Sequence, residues 1–360
     1  MLRIQSISLT QFKNYSSRDF LFNKRIIGIC GNNGAGKTNL LDSIYYLCFA
    51  KSYFSRAETV NVQQGQSGFR LVGGFVLNEK DENAVCILRE TGKKELSVND
   101  NLYEKLSGHI GRYTCVMIAP DDAQLITGGS EERRRFLDLL LSQLDAEYLK
   151  QLIVYNKILR QRNSLLASFA ETGNRNMPLL DVLNEQLTKP GNYIFTKRNE
   201  FLKTFIPEVN KLYDEISDHK EDLLISYETD LLNTSFTELL NTYKQKDMLV
   251  QRTTTGIHKD DLEIKMNGQL FKNIASQGQR KSLLFALKLA ELEMLKKEKG
   301  YAPILLLDDV FEKLDENRIN NLLKKVCNEN EGEVLITDTN EERLRDHLNQ
   351  IGCDFDLFII

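Results

Sequence analysis

Three features of this 360-residue sequence predict an α/β fold with a β-meander layer and an inserted helical lobe. First, a glycine-rich octapeptide stands between an apolar β-type run, Arg25 to Cys30, and a helically spaced run, Asn39 to Leu47. Second, three strand-like segments separated by polar turns follow it. Third, the texture turns helical from about residue 120 to residue 250, then returns to strands. Composition agrees, since 41% apolar residues supply core enough for one large α/β domain carrying an insertion, or for two domains.

The octapeptide is Gly31-Asn32-Asn33-Gly34-Ala35-Gly36-Lys37-Thr38, which reads G-x-x-x-x-G-K-[ST]. Its glycines let backbone N–H groups close around phosphate oxygens, and the helix that follows adds its positive end. Lys37 is placed to reach β- and γ-phosphates and the Thr38 hydroxyl to ligate Mg²⁺.

Ahead of this loop, Arg3 to Leu9 and a run near Asp19 to Phe22 are expected strands around the turn Phe12-Lys13-Asn14-Tyr15. Behind it, Ala50 to Arg56 is basic and aromatic, and is read either as facing phosphate or as an ordinary helix–loop junction. Phe69 to Leu77, Ala84 to Arg89 and Lys94 to Asn99 form the expected antiparallel meander. Tyr113 to Ile118 is a buried strand stopped at Pro120. A long amphipathic pattern then runs from Glu131 towards Leu166, and another from Leu179 to about Ile216, broken or bent near Pro190-Gly191 and Pro207. Heptads are not sustained, so a compact lobe is expected rather than a coiled coil. The resulting boundaries are 1–119 for the first part of the head, 120–250 for the lobe and 251–360 for the second part of the head.

Strands resume at Leu223 to Tyr227 and in a hairpin from Leu262 to Phe271, with Asn267-Gly268 as its turn. The preceding Thr255 to Asp261 is dense in groups that touch phosphate or metal, or is a solvated loop. Ser276-Gln277-Gly278-Gln279 heads a long helix, where Ser276 can serve as a cap. Soon after, Pro303 to Leu307 is an apolar strand ending in Asp308-Asp309. This is the Walker B arrangement, with Asp308 suited to Mg²⁺ and Asp309 to orienting the attacking water. Glu333 to Asp338 is the next strand, with Thr337 and Asp338 at its carboxyl end.

Other chemistries are disfavoured. The first nine residues alternate like a strand, not a signal peptide, and no run of 18 apolar residues occurs, so a cytoplasmic protein without a membrane partner is expected. The six cysteines make no C-x-x-C and read as buried reduced thiols. Net charge is −4, yet residues 148–211 hold ten Lys and Arg against five acids, a local basic excess compatible with nucleic acid.

Taken in order, the P-loop, the Ser-x-Gly-Gln segment, the strand ending in Asp-Asp and Leu314-Asp315 resemble an ATPase of the ABC/SMC class. Within that class the chain resembles the RecF family of bacterial recombination mediators over almost its whole length. The resemblance rests on Phe12-Lys13-Asn14-Tyr15, the P-loop with Asn39 to Tyr45, Pro120-Asp121 leading into Arg133 to Asp138, Gln161-Arg162-Asn163, Gly256 to Leu262, Ser276 to Lys281, and Leu306 to Val310 with Leu314-Asp315. Asp-Asp stands where transporters have Asp-Glu, and no histidine follows the last core strand.

The resemblance implies ATP and Mg²⁺ as cofactors and an ATP-dependent homodimer, in which Ser276, Gln277, Gly278 and Gln279 meet the partner's nucleotide and Asp315 lies in the D-loop. It further implies duplex and gapped DNA as ligand, RecO- and RecR-type partners, a role in recombinational repair, replication restart and the SOS response, and weak DNA-stimulated ATPase activity. Lys51, Arg56, Lys157, Arg160, Lys197 and Arg198 are the expected phosphate-contacting residues. A transporter-type ATPase subunit and an SMC-like structural tether are the alternatives; a membrane-coupling loop and long heptad arms are what they would require.

Overall fold

The computed structural model describes residues 1–173, 175–217, 221–311 and 316–360. The chain begins with an antiparallel layer. Strand β1 (Leu2–Phe12) pairs with β2 (Tyr15–Leu21), and after β3 (Ile26–Cys30) and helix α1 (Lys37–Phe49) the meander follows as β4 (Phe69–Leu77), β5 (Lys80–Leu88), β6 (Lys94–Val98) and β7 (Asn101–Leu102). Together these make a six-stranded sheet in the order β2-β1-β4-β5-β6-β7. One face of β1 is apolar and buried, with Leu2 and Ile4 hidden before a register shift at Ile4–Ser6 and Ile7 and Leu9 after it, the alternation of a half-covered antiparallel strand with one irregularity.

From β8 (Cys115–Ile118) the chain enters helices: α2 (Ala123–Thr127), α3 (Ser130–Leu144), α4 (Ala146–Thr172) and α5 (Met177–Ile216). The amphipathic pattern expected from 131 towards 166 is two helices, divided at Asp145. Its carboxylate caps α4 by accepting from the amides of Glu147 at 2.8 Å and Tyr148 at 3.1 Å. Of the break or bend expected in α5, the break is absent, because its 40 residues form one helix through both Pro190 and Pro207. Pro190 and Gly191 lie on its buried face, where Phe236 and Tyr155 pack against Gly191, and this packing offsets the lost backbone bond.

Next come β9 (Leu223–Glu228), α6 (Phe236–Thr242), α7 (Lys244–Val250), β10 (Asp261–Met266), β11 (Gln269–Leu270), α8 (Phe271–Ile274) and α9 (Gln277–Lys299). Strands β11, β10 and β9 form a three-stranded antiparallel sheet. Asn267 and Gly268 both take positive φ, 51° and 75°, as a two-residue primed turn requires.

The last elements are β12 (Ile304–Leu307), α10 (Glu316–Leu323), β13 (Val334–Asp338), α11 (Glu341–Gln350) and β14 (Phe355–Ile359). They complete a five-stranded sheet in the order β14-β3-β13-β12-β8, parallel throughout. Strands β3, β13, β12 and β8 are buried along their whole length, as parallel strands covered on both faces are. Helix α1 touches β4 and β1 of the antiparallel sheet and β13 and β8 of the parallel one, so it is apolar nearly all round instead of striped.

The chain divides into two compact units, residues 1–122 with 285–360 and residues 123–284. Re-entry to the first unit is therefore at Phe285, later than the expected 251. Residues 261–270 stay with the second unit because β10 pairs with β9 over six positions and carries β11 with it. Among the described residues no helix is long and apolar enough to cross a membrane, and all six cysteines are free thiols.

Candidate functional site

The parallel order brings the carboxyl ends of β3 and β12 to either side of β13. The P-loop leaves the first, Asp308-Asp309 the second and Thr337 sits on the third. In open α/β sheets this edge is where ligands bind.

Gly36 takes φ +120°, and a Cβ there would lie 2.7 Å from Asn14 Nδ2 and 2.8 Å from Tyr15 Oη, so only glycine fits. Both neighbours hold the loop. Asn14 Nδ2 donates to the Ala35 carbonyl at 3.0 Å and Tyr15 Oη to that of Gly36 at 3.1 Å, while Asn39 Nδ2 donates to Asn14 Oδ1 at 2.7 Å. Among the described residues no side chain caps α1, so its first amides face the loop. Lys37 is 4% exposed, and its ammonium donates to the carbonyls of Gly31 and Asn32 at 2.9 and 3.2 Å. Asp42, buried on α1, binds Lys13 Nζ at 2.5 Å, Ser52 Oγ at 2.7 Å and the Tyr53 amide at 2.7 Å, which ties the turn, the helix and the following segment together.

Across from the loop, the Thr38 hydroxyl lies 2.9 Å from both Asp308 carboxylate oxygens. Thr337 Oγ1 donates to Asp308 Oδ1 at 2.9 Å and accepts the Asp309 amide at 2.9 Å. Burial holds the Asp308 carboxyl above its ordinary value, and the Thr337 and Thr38 hydroxyls pull it back. Asp309 takes φ +44°, in the left-handed region that few non-glycine residues adopt. A hydroxyl and a carboxylate suit Mg²⁺, a hard cation that binds few protein oxygens and completes its shell with water and phosphate. Asp338, read beside Thr337 from the sequence, is turned to another task. Its carboxylate is gripped by Arg343 at 2.9 and 2.5 Å and accepts the Asn340 amide at 2.9 Å.

In the second unit Ser276 is exposed and starts α9 as a reciprocal cap. Its Oγ accepts the Gln279 amide at 3.2 Å and its own amide donates to Gln279 Oε1 at 2.7 Å. Gln277 is exposed, Gly278 half-buried, and Gln279 Nε2 donates to Glu221 Oε1 at 2.8 Å. Leu314 and Asp315 lie outside the described residues. The segment 255–261 is mostly packed inward, with Thr255, Gly256, Ile257 and Asp260 buried and Lys259 exposed. Asp260 is buried beside Arg198, and His258 is held by Tyr155 Oη at 2.8 Å and the Thr253 carbonyl at 3.1 Å, with burial pulling its imidazole down to about 4.

The expected cationic surface needs one correction. Arg198 is 1% exposed, paired with Asp138 at 2.7 Å and Asp260 at 3.1 Å and bonded to the Ile257 carbonyl at 2.8 Å, so it is an internal tie and cannot meet a phosphate. Lys197 is half-buried and reaches Asp145 at 3.4 Å, while Lys157, Arg160, Lys51 and Arg56 are exposed. Reading the sequence missed the bracing of the P-loop by Asn14 and Tyr15. The clue available was two polar residues in a tight turn before a P-loop strand.

A family model described as an AAA domain matches residues 6–351. The chain is 42% identical to the DNA replication and repair protein RecF of Flavobacterium johnsoniae, over 95% of each chain. It is 40% identical to that of Cytophaga hutchinsonii, over 99% of this chain and 94% of the relative. A solved structure of the recombination mediator protein RecF-ATP in the RecFOR pathway is 30% identical, with TM-score 0.87 over 94% of this chain and 92% of that one. The Smc head of Pyrococcus furiosus, at 15% identity and TM-score 0.56 over 96% and 92%, shares the fold. The architecture is thus an ABC/SMC-type ATPase head with a β-layer and an inserted helical lobe.

Proposed function

Since the chain belongs to the RecF family, we propose that it acts in DNA replication and repair as an ATP-dependent DNA-binding switch. ATP sits on the P-loop from Gly31 to Thr38, with Lys37 turning from the loop carbonyls to the β- and γ-phosphates. Thr38 and Asp308 hold Mg²⁺, which when bound neutralises charge on the phosphates. Asp309 orients the attacking water, and hydrolysis is slow and stimulated by DNA. Two protomers close on ATP, each offering Ser276, Gln277, Gly278 and Gln279 to the other's nucleotide, with Asp315 at the dimer seam. The closed dimer holds duplex DNA near single-strand gaps and promotes recombinase loading with RecO- and RecR-type partners, in recombination and the SOS response. Contacts go to phosphates through Lys51, Arg56, Lys157, Arg160 and Lys197.

The observation that carries this reading is the 2.9 Å approach of the Thr38 hydroxyl to both oxygens of Asp308. It joins two sequence motifs 270 residues apart at the phosphate-binding edge of the sheet. Sedimentation of the purified protein with ATP or ADP, each with and without duplex DNA, is the test. A dimer with ATP alone, retained on DNA and lost in Lys37→Ala, is expected. An unchanged sedimentation coefficient in ATP, or ATP affinity undiminished in Lys37→Ala, refutes it.

A further inference from the structure

We propose that Thr337 is the positioning residue that locks the two Walker B acids into one arrangement, through a single hydroxyl. The role rests on the nucleotide-site reading above and assigns a function to a residue outside its motifs. Thr337 is 0% exposed at the carboxyl end of β13, the strand between those that carry the P-loop and the acids. Its Oγ1 uses its only proton on Asp308 Oδ1, at 2.9 Å, and directs a lone pair to the Asp309 amide, also at 2.9 Å. The same Asp308 Oδ1 accepts from Thr38. The hydroxyl therefore fixes the carboxylate that faces Thr38 and the backbone of the next residue at once.

The second link matters because of Asp309's backbone. At φ +44° the residue sits in the left-handed region, strained for any side chain and kept only where its surroundings hold it. An amide bonded to a buried oxygen on a neighbouring strand is such a hold. Released from Thr337, Asp309 relaxes towards ordinary φ and its carboxylate leaves the direction set by the turn, while Asp308 loses one of two hydroxyl donors. Asp308 and Asp309 cannot then be placed independently. A side chain at position 337 that lacks a hydroxyl disturbs the metal-facing acid and the water-facing acid together, although it touches neither metal nor water.

The test compares Thr337→Val, which keeps the branching and removes the hydroxyl, with Thr337→Ser, which keeps the hydroxyl, and Thr337→Ala in case Val does not fold. Three readouts are taken: amide exchange at Asp309 without nucleotide, ATP affinity with Mg²⁺ and with EDTA, and single-turnover hydrolysis. In Val and Ala, Asp309 exchange is faster, the Mg²⁺-dependent gain in ATP affinity and the hydrolysis rate fall about 10–100-fold, and affinity in EDTA is unchanged. Ser restores all three. Wild-type exchange at Asp309 in Val and Ala, or a Mg²⁺-dependent gain equal to wild type, overturns the proposal, as does failure of Ser to rescue. If wild-type protein binds no ATP in either condition, the nucleotide site itself is refuted, and this is seen before any variant is compared.

Discussion

Replacing Arg198 by Met isolates the worth of the ion cluster at the centre of the second unit. The guanidinium reaches Tyr148 Oη at 3.1 Å, the Ile257 carbonyl at 2.8 Å, Asp260 at 3.1 Å and Asp138 at 2.7 Å. Methionine fills much of the volume but leaves Asp260, 3% exposed, charged and without its cation. Removing one partner of such a buried pair costs about 3–5 kcal/mol. At about 2–4 °C per kcal/mol for a unit of this size, the melting transition should drop by roughly 6–20 °C. The chain has no tryptophan, so circular dichroism is the probe. Arg198→Lys should recover little, because one ammonium cannot reproduce the planar fork that spans Asp138, Asp260 and a carbonyl. Adding Asp260→Asn to Arg198→Met should regain part of the loss by removing the stranded charge. A loss under about 1 kcal/mol in Arg198→Met, or a double variant less stable than the sum of the two singles, would refute the internal-tie assignment and return Arg198 to the cationic surface.

Asp309→Asn should bind ATP as before, hydrolyse it more slowly and hold the dimer longer by sedimentation; a normal rate denies Asp309 its part. Ser276→Arg should spare ATP binding and abolish ATP-driven dimerisation, and equal loss of both would leave Ser276 only its cap on α9. Charge reversal at Lys157, Arg160 and Lys197 should weaken duplex binding alike for all sequences and lower the salt slope by about 0.9 for each DNA phosphate no longer neutralised; an unchanged slope in a folded variant places the DNA elsewhere. Glu333 is 0% exposed and accepts the Ile4 amide at 2.5 Å, with burial pushing its carboxyl up to about 8 from an ordinary 4.5. Folded protein thus keeps a proton that the unfolded chain has released, and the stabilisation, complete below pH 4.5, is lost as pH rises through 8. Denaturant midpoints should fall between about pH 4.5 and 8 more steeply in wild type than in Glu333→Gln, and parallel curves would contradict this.

Local signals were legible in the sequence. The P-loop with its flanks, the meander, the Asn267-Gly268 turn and the strand before Asp308 are each specified by neighbours within a few residues, and each stands where expected. What escaped was set by distant partners. Arg198 and Lys197 look alike in sequence, yet one turns inward to acids 60 and 62 residues away and the other stays half-buried. Pro190 and Pro207 signal a break or a bend locally, and packing along α5 carries the helix through both without a break. Thr337 is readable as the end of a strand, but its bonds to Asp308 and Asp309 exist only because β13 lies between β3 and β12, an order no local pattern encodes.

Strand β14 is parallel to β3, and the Ile360 amide donates to the Cys30 carbonyl at 2.9 Å, one residue before the P-loop. The Ile360 carbonyl oxygen lies against the place where a Cβ on Gly31 would stand, so Gly31 must be glycine to admit it. A methyl at position 31 would therefore have to push the end of β14 away from β3 or displace the first residue of the phosphate loop.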